Sequence, residues 1–218
     1  MTFPQRIMDL VRENKLFFAL FLAWVVLGAL LLFVPGNDAV FLAVNHTRAL
    51  WLDYAMTFFT FLGQAEYISA ILLSLFFLPA FRTRAYLLLA ILSGIGVTLF
   101  SQGLKMYFNA PRPLNVLGPT MVYTVPWLAN NFHHSFPSGH TLGAFAFFTL
   151  YSFFLSPKYK RVSVLFFVLA LLCGFSRMYL GQHFLVDIYA GSILGVIFIT
   201  LLYGVVNHFF FQKTKPFI

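Results

Sequence analysis

The sequence predicts an all-α fold: a polytopic membrane protein built as a bundle of six transmembrane helices. Of its 218 residues, 61% are hydrophobic and only 9% are charged, and the mean hydropathy is +0.86. Soluble domains carry about 25% charged residues, so lipid must surround most of this chain. Apolar segments follow one another from Leu16 to Phe211 without a separating linker, which predicts a single membrane-embedded domain over residues 1–218.

Six apolar runs are long enough to cross the hydrocarbon of a bilayer, which takes about 20 residues of helix. Backbone groups in lipid must bond internally, so only helices or closed barrels can span it. The runs lack the alternation of barrel strands, which favours helices. The predicted spans are approximately 16–34, 62–81, 86–104, 139–155, 162–180 and 188–206.

The positions of Lys and Arg orient this bundle, because cytoplasmic loops are enriched in both. Six spans put both termini on one side, and ten of the fourteen basic residues share that side, so the N- and C-termini are predicted to be cytoplasmic. The ten are Arg6, Arg12, Lys15, Arg82, Arg84, Lys158, Lys160, Arg161, Lys213 and Lys215. The opposite side keeps Arg48, Lys105, Arg112 and Arg177.

Composition argues against other classes of protein. The net charge of +8 does not indicate nucleic-acid binding, because the basic residues are scattered between apolar runs. Cys173 is the only cysteine and is interpreted as packing material within an apolar segment. The run from Leu16 to Val34 is interpreted as a retained anchor, because it is long enough to span and no small-residue cleavage site is obvious. No feature indicates an obligatory protein partner.

The segment between the first two spans, FLAVNHTRALWLDYAMTFF, leaves two alternatives. It could form a helix lying at the outer interface, with Trp51 and Tyr54 at headgroup depth. It could equally be a polar-tipped entry to the second span. The tripeptide Asn45-His46-Thr47 fits a glycosylation acceptor, a pattern that often arises by chance.

Three short segments carry residue types suited to catalysis. They are KMYFNAPRP at 105–113, PSGH at 137–140 and SRMYLGQHFLVD at 176–187. The first follows the third predicted span, the second opens the fourth, and the third connects the fifth to the sixth. The parity of the spans therefore brings all three segments to the outer side of the membrane.

The cations and one helix start in these segments suit a phosphate group. Lys105, Arg112 and Arg177 supply three positive charges, and arginine can hold phosphate oxygens with paired N–H donors. Ser138 and Gly139 lie at the predicted start of a helix, where free N–H groups and the helix dipole favour an anion. Together these residues would neutralise the charge that develops during phosphoryl transfer.

Two histidines add the reacting groups. His183 and Asp187 are four residues apart and would share one face of a helix. The carboxylate can then orient the imidazole while its other nitrogen attacks phosphorus, which makes His183 the predicted nucleophile. His140 is the predicted general acid for the departing oxygen and then the base for water, roles typically worth about 10² to 10⁴ in rate.

The pattern K-x6-RP, PSGH and SR-x5-H-x3-D resembles the three-part signature of the type-2 phosphatidic acid phosphatase superfamily, the lipid phosphate phosphatases. The match is complete at Lys105, Arg112, Pro113, Pro137, Ser138, Gly139, His140, Ser176, Arg177, His183 and Asp187. The resemblance implies a six-helix bundle and a phosphohistidine intermediate on His183, with neither metal nor cofactor. It also implies substrates such as phosphatidic acid, phosphatidylglycerol phosphate, undecaprenyl pyrophosphate or lipid A phosphates.

Other polar residues have plainer interpretations. Arg48 is interpreted as a membrane anchor with a snorkelling stem. His133 and His134 are adjacent and would point apart on a helix, and neither Cys nor a nearby carboxylate completes a zinc set, so no metal site is predicted. The two histidines either contact a substrate headgroup or are plain surface residues. The long loop 114–136 is where we expect substrate specificity.

The sequence thus predicts an enzyme that removes phosphate from a lipid phosphate or pyrophosphate at the extracytoplasmic face of a membrane. The expected location is a bacterial inner membrane, with the site facing the periplasm or the exterior. Its partners would be the lipid substrate and the bilayer. Two alternatives stay open: a phosphotransferase that passes phosphate to another lipid, and a non-catalytic transporter or binding protein for anionic lipids.

Overall fold

A computed structural model describes residues 2–210, and within them every regular element is a helix. The α-helices are α1 (Phe3–Glu13), α2 (Lys15–Phe33), α3 (Asn37–Asn45), α4 (Leu50–Phe61), α5 (Ala65–Leu75), α6 (Arg84–Phe108), α7 (Pro113–Leu117), α8 (Gly139–Phe154), α9 (Ser163–Tyr179) and α10 (Leu185–Phe210). Short 3-10 helices cover Pro79–Phe81 and Pro157–Val162.

Four helical stretches are long and apolar enough to cross a membrane: Lys15–Phe33, Arg84–Leu117, Pro157–Tyr179 and Leu185–Phe209. They correspond to the predicted first, third, fifth and sixth spans. Helices α4 and α5 pass the same test as a pair, but they are bent by 54° at the break between them. The chain is therefore a multi-pass membrane protein with four or five candidate spans among its described residues.

The second predicted span, 62–81, does not correspond to one continuous helix. Helix α4 ends at Phe61, and α5 covers only Ala65–Leu75 after a short turn. Pro79 then begins a 3-10 helix, because proline cannot continue an α-helix. Helix α4 is a separate element, and its Trp51 and Tyr54 are 70% and 60% exposed. Because α4 and α5 can also be counted together as one bent span, both alternatives for this segment, an interfacial helix and an entry to the second span, stay open.

Helix α8 forms the centre of the bundle. It has 16 residues, of which thirteen are buried, and it is shorter than the roughly 20 residues of a full crossing. It packs mainly against α10 and α9, so protein rather than lipid surrounds most of its length. A count of six spans requires that α8 and the α4–α5 pair each be counted as one, and this count stays a prediction.

Glycines on α10 permit its close contact with α8. A Cβ at Gly191 would lie 2.8 Å from the carbonyl oxygen of Ser138, and one at Gly195 would clash with the carbonyl oxygen of Leu142. Small residues at this spacing allow membrane helices to approach closely. Because Gly191 faces Ser138 and Gly195 faces Leu142, the two helices run parallel, and they begin side by side.

Basic residues gather at the opposite end of the bundle from these two helix starts. Arg6 Nη1 donates to the carbonyl of Asn207 at 3.1 Å, and Lys160 Nζ donates to Asn14 Oδ1 at 2.8 Å. The N-terminal helix, the turn between α8 and α9, and the end of α10 therefore lie together. Residues 213 and 215, which contributed to the predicted orientation, lie outside the described residues, and the cytoplasmic placement of both termini stays a prediction.

We expect Gly195→Ala to destabilise the protein by about 1 to 3 kcal/mol, because the added methyl group would force α10 away from the α8 backbone. Gly103→Ala on α6 is the matched control, since no atom lies within 4 Å of a Cβ built there. Thermal unfolding midpoints in detergent would compare the two variants with the natural chain. Equal midpoints for both variants would contradict the close packing of α8 on α10.

Candidate active site

The three signature segments meet at one end of the bundle. The backbone N–H of Ser138 donates to the carbonyl of Asp187 at 3.1 Å, which joins the second segment to the third. A Cβ built on Gly139 would lie 3.4 Å from Lys105 Nζ, which brings the first segment to the same place. Residues far apart in the sequence therefore surround one small volume.

His183 and Asp187 form a buried pair, 1% and 2% exposed. Nδ1 of His183 lies 3.3 Å from Oδ2 of Asp187. Helix α10 begins at Leu185, so the expectation that both residues lie on one helix is wrong: His183 lies just before it. The same Oδ2 accepts the N–H of Phe184 at 3.0 Å, as a capping side chain does in the first turn of a helix. This local cap fixes the carboxylate beside the imidazole.

The environment of His183 keeps its imidazole neutral. Burial lowers the pKa of His183 well below its usual value of 6.5, and the nearby cations Arg112, Arg177 and Lys105 lower that pKa further. With Nδ1 directed at the carboxylate of Asp187, the proton of the neutral ring belongs on Nδ1. The other nitrogen, Nε2, then carries a free lone pair.

The two arginines are each 7% exposed and are held by the protein. Arg112 Nε donates to the carbonyl of His133 at 2.9 Å, and its Nη1 donates to the backbone and side-chain oxygens of Gln182 at 3.2 and 3.0 Å. Arg177 Nη1 donates to Thr60 Oγ1. Within residues 2–210, the buried Nε of Arg177 has no hydrogen-bond partner. Each guanidinium is thus fixed in place with donors left over for an anion.

The start of α8 offers fewer donors than the sequence predicted. The N–H of Ser138 is already bonded to the carbonyl of Asp187, and its Oγ accepts the N–H of Thr141 at 3.4 Å as the N-cap. The next two N–H groups, on Gly139 and His140, lie in the first turn, where no carbonyl within the helix can accept them. An anion can bind to these two groups.

His140 lies in the first turn of α8 and is partly exposed. Its backbone packs so tightly on Gly63 that a Cβ there would clash with the His140 carbonyl. Gly63 belongs to the turn between α4 and α5, and Thr60 just before it bonds to Arg177. The break between α4 and α5 therefore forms one wall of the site, which the sequence did not indicate.

Ser135 is a further residue that the sequence interpretation missed. It is 1% exposed, its Oγ donates to Asp187 Oδ2, and the same Oγ lies 3.3 Å from Nδ1 of His183. Its own N–H donates to the carbonyl of Ala110 at 2.9 Å. No spacing rule connects Ser135 to partners 48 and 52 residues further along the chain, so only the folded structure identifies it.

Arg48 is a partly buried group bonded within the protein, so its interpretation as a snorkelling anchor is wrong. Its guanidinium lies 3.7 Å from the ring centroid of Tyr123 and 4.4 Å from that of Tyr179. Its Nη1 is 3.3 Å from Oδ1 of Asp53. Because Tyr179 follows Arg177 by two residues, this cluster ties α4 and the long loop to the end of α9.

Asn45 fastens the same loop. It is 0% exposed, and its Nδ2 donates to the carbonyls of Tyr123 and Tyr179, each at 3.0 Å. Its Oδ1 accepts the N–H of Tyr123 at 2.9 Å. A side chain buried and bonded in this way is closed to glycosylation, so the acceptor pattern at this position is a chance match.

His133 and His134 are exposed, but both support the site. The carbonyl of His133 accepts Arg112 Nε, and Nδ1 of His134 lies 3.2 Å from the carbonyl of Lys105. His134 has φ 57°, a left-handed conformation that is uncommon outside glycine. Within the described part of the chain, no three His, Cys, Asp or Glu side chains are grouped where they could hold a metal ion.

Comparison with known proteins identifies the family. A family model described as the PAP2 superfamily matches residues 83–211. Phosphatidylglycerophosphatase B of Bacillus subtilis (strain 168) is 29% identical over 213 residues, which cover 91% of this chain and 96% of that protein. Undecaprenyl-diphosphatase BcrC of the same strain is 28% identical over 185 residues, which cover 84% of this chain and 88% of that protein.

Solved structures resemble most of the bundle. The crystal structure of Aquifex aeolicus LpxE matches with a TM-score of 0.64 at 30% identity, over 78% of this chain and 94% of that chain. The crystal structure of a transmembrane PAP2 type phosphatidylglycerolphosphate phosphatase from Bacillus subtilis matches with a TM-score of 0.63 at 29% identity, over 91% and 98% of the two chains. The family that the signature segments predicted is confirmed: the chain belongs to the PAP2 superfamily and, like these relatives, is a phosphatase.

Proposed function

We propose that the protein is an integral-membrane lipid phosphatase that forms a phosphohistidine on His183 and acts at the extracytoplasmic face. The observation that supports this most directly is the buried, neutral imidazole of His183, paired with Asp187 and surrounded by Lys105, Arg112 and Arg177. Fixed cations attract an anionic phosphate group and, at the same time, keep the nucleophile unprotonated.

In the first step, Nε2 of His183 attacks phosphorus, and the bond between phosphorus and the lipid oxygen breaks. His140 acts as general acid and must therefore carry a proton when the lipid oxygen departs. Burial and the three cations of the site lower the pKa of His140 well below its usual value of 6.5, so the bound anionic phosphate has to raise that pKa for His140 to hold and then give this proton. Asp187 accepts the Nδ1–H and stabilises the positive charge that the ring gains as the P–N bond forms. The cations and the first-turn N–H groups of α8 neutralise the phosphoryl oxygens.

In the second step, water attacks the phosphohistidine and the P–N bond breaks, returning its electron pair to Nε2. His140, now a base, takes a proton from this water, so inorganic phosphate leaves and the enzyme returns to its starting protonation state. The chain's own side chains carry out both steps without a metal. A phosphotransferase would differ only in that a second lipid replaces water.

The surroundings of the site suit an amphiphilic substrate. Met106, Tyr107 and Phe108 follow Lys105 directly and are 68%, 81% and 49% exposed. Apolar and aromatic side chains of this kind belong at the membrane interface, where they would contact the lipid while its phosphate reaches the cations. The named relatives act on phosphatidylglycerophosphate and undecaprenyl diphosphate, so we propose lipid monophosphates and diphosphates as the substrate class.

The extracytoplasmic placement is supported by charge. The end of the bundle opposite the site includes Arg6 and Lys160, which bond to Asn207 and Asn14, and this enrichment in cations is typical of the cytoplasmic side. At the site end, the cations are engaged in the site or in the Arg48 cluster. These cations are therefore left out when the loop charges at the two ends of the bundle are compared.

We expect His183→Ala to abolish phosphate release from lipid phosphates and His140→Ala to slow it by about 10² to 10⁴. A metal chelator should leave the natural enzyme active. His208→Ala, at the opposite end of α10, is the matched control and should retain activity. Release of inorganic phosphate by purified protein is the measurement. Activity that is lost with chelator but kept in His183→Ala would exclude the mechanism.

We expect the acid limb of kcat/KM to lie below pH 6.5, the usual pKa of a histidine. A lowered pKa means that His183 gains its proton, and loses its nucleophilic lone pair, only at more acidic pH. A lipid monophosphate itself titrates near pH 6. The ionisation of the substrate is therefore measured in the detergent micelles used for the assay, and the kcat/KM profile is corrected for it. A corrected limb at or above pH 6.5 would argue against a neutral buried nucleophile.

Single-cysteine labelling should test the sidedness, because the native Cys173 is buried and should not react. We expect a membrane-impermeant maleimide to label Asn130→Cys, in the exposed loop at the site end, in intact cells. The matched variant is Lys158→Cys, exposed at the opposite end, and it should be labelled only after permeabilisation. The reverse pattern would place the site on the cytoplasmic side.

A further inference from the structure

We infer that Ser135 is a positioning residue for the nucleophile: its hydroxyl fixes the carboxylate of Asp187 and gives the Nδ1–H of His183 a second acceptor. The inference rests on the proposed function, because it assumes that Nε2 of His183 attacks phosphorus. Ser135 itself would touch neither phosphate nor water.

The geometry around Nδ1 supports this role. Nδ1 of His183 lies 3.3 Å from Oγ of Ser135 and 3.3 Å from Oδ2 of Asp187. A hydroxyl has one hydrogen and two lone pairs, so a serine that donates to the carboxylate still presents a lone pair to Nδ1–H. Both acceptors therefore face the same ring nitrogen, and the proton is held there while Nε2 stays free.

The carboxylate of Asp187 depends on the same hydroxyl. Its Oδ2 accepts the Oγ–H of Ser135, the N–H of Phe184 and the Nδ1–H of His183. The Ser135 bond is the shortest of the three. Phe184 holds the carboxylate from within the start of α10, and Ser135 holds it from a different segment, so the two bonds together fix its rotamer.

Other buried serines show that Ser135 is not simply a satisfied core residue. Ser163, Ser176 and Ser192 each donate to a carbonyl three residues earlier in the chain. Ser135 instead donates to a side chain 52 residues away. Its N–H is bonded to the carbonyl of Ala110, so the backbone is anchored and the hydroxyl is directed at the catalytic pair.

The charges around His183 determine the sign of the expected pH effect. The groups that face it are Lys105 of α6, Arg112 at the N-cap of α7, His140 of α8, Arg177 of α9 and Asp187 of α10. Among these charged groups only Asp187 favours the imidazolium, and a carboxylate does so more strongly than the lone pair that the neutral Ser135 hydroxyl presents to Nδ1–H. Without the Ser135 hydrogen bond, the carboxylate interacts more strongly with the ring, so His183 should take up its proton at a higher pH.

The test is the Ser135→Ala variant of the full chain in detergent or vesicles. We expect kcat to fall about 10-fold to 100-fold, the effect of losing a hydrogen bond to a charged group. KM should stay nearly unchanged because Lys105, Arg112 and Arg177 remain. The acid limb should move to higher pH, and labelled phosphohistidine should form more slowly. The kcat of Ser135→Cys, which keeps a weak donor, should lie between that of the natural enzyme and that of Ser135→Ala.

Ser93→Ala is the matched control, because Ser93 is 0% exposed and its Oγ has no hydrogen-bond partner within residues 2–210. Ser93→Ala should leave kcat, KM and the position of the acid limb unchanged. Two results would overturn the inference: natural kcat and acid limb in Ser135→Ala, or activity that falls only with the folded fraction while the limb stays in place. Absence of phosphohistidine in the natural enzyme would instead overturn the proposed function and the inference with it.

Discussion

The close parallel contact between α8 and α10 is the constraint on which the site depends. Gly191 and Gly195 bring the backbones together, and this places the N-terminus of α8 beside the residues that precede α10. The bond from the Ser138 N–H to the Asp187 carbonyl follows from that placement. The helix start that can bind an anion and the imidazole that can attack it are thus fixed relative to each other by backbone packing, not by long flexible side chains.

In the proposed mechanism, electrostatics links substrate binding to activation of His183. Three cations surround a single carboxylate, and burying such an excess of charge is unfavourable unless an anion joins it. Bonds to Gln182 and Thr60 hold the guanidinium groups in place. The same positive charge keeps His183 neutral, and bound phosphate would relieve part of that charge as the ring becomes positive during attack.

How much the sequence could predict depended on the range of the interactions. The signature residues, including Lys105 and His183, were predicted because each segment has a fixed spacing and span parity brings the segments to one side. Ser135, Thr60 and Gly63 were missed because their roles come from contacts with segments far along the chain. The α4–α5 break has the same origin: its turn packs on the carbonyl of His140, a tertiary contact that hydropathy does not detect.

The long loop 114–136 and its anchors, Asn45 and Arg48, show how substrate preference can change while the chemistry stays fixed. Asn45 and Arg48 hold the long loop through backbone carbonyls and ring faces, and neither touches the His183–Asp187 pair. The residues of the loop between these anchors and Ser135 can therefore vary in size and polarity without moving the nucleophile. A rigid reaction centre with a separately anchored rim would let related enzymes accept different lipid headgroups, since loops on a fixed scaffold commonly determine specificity.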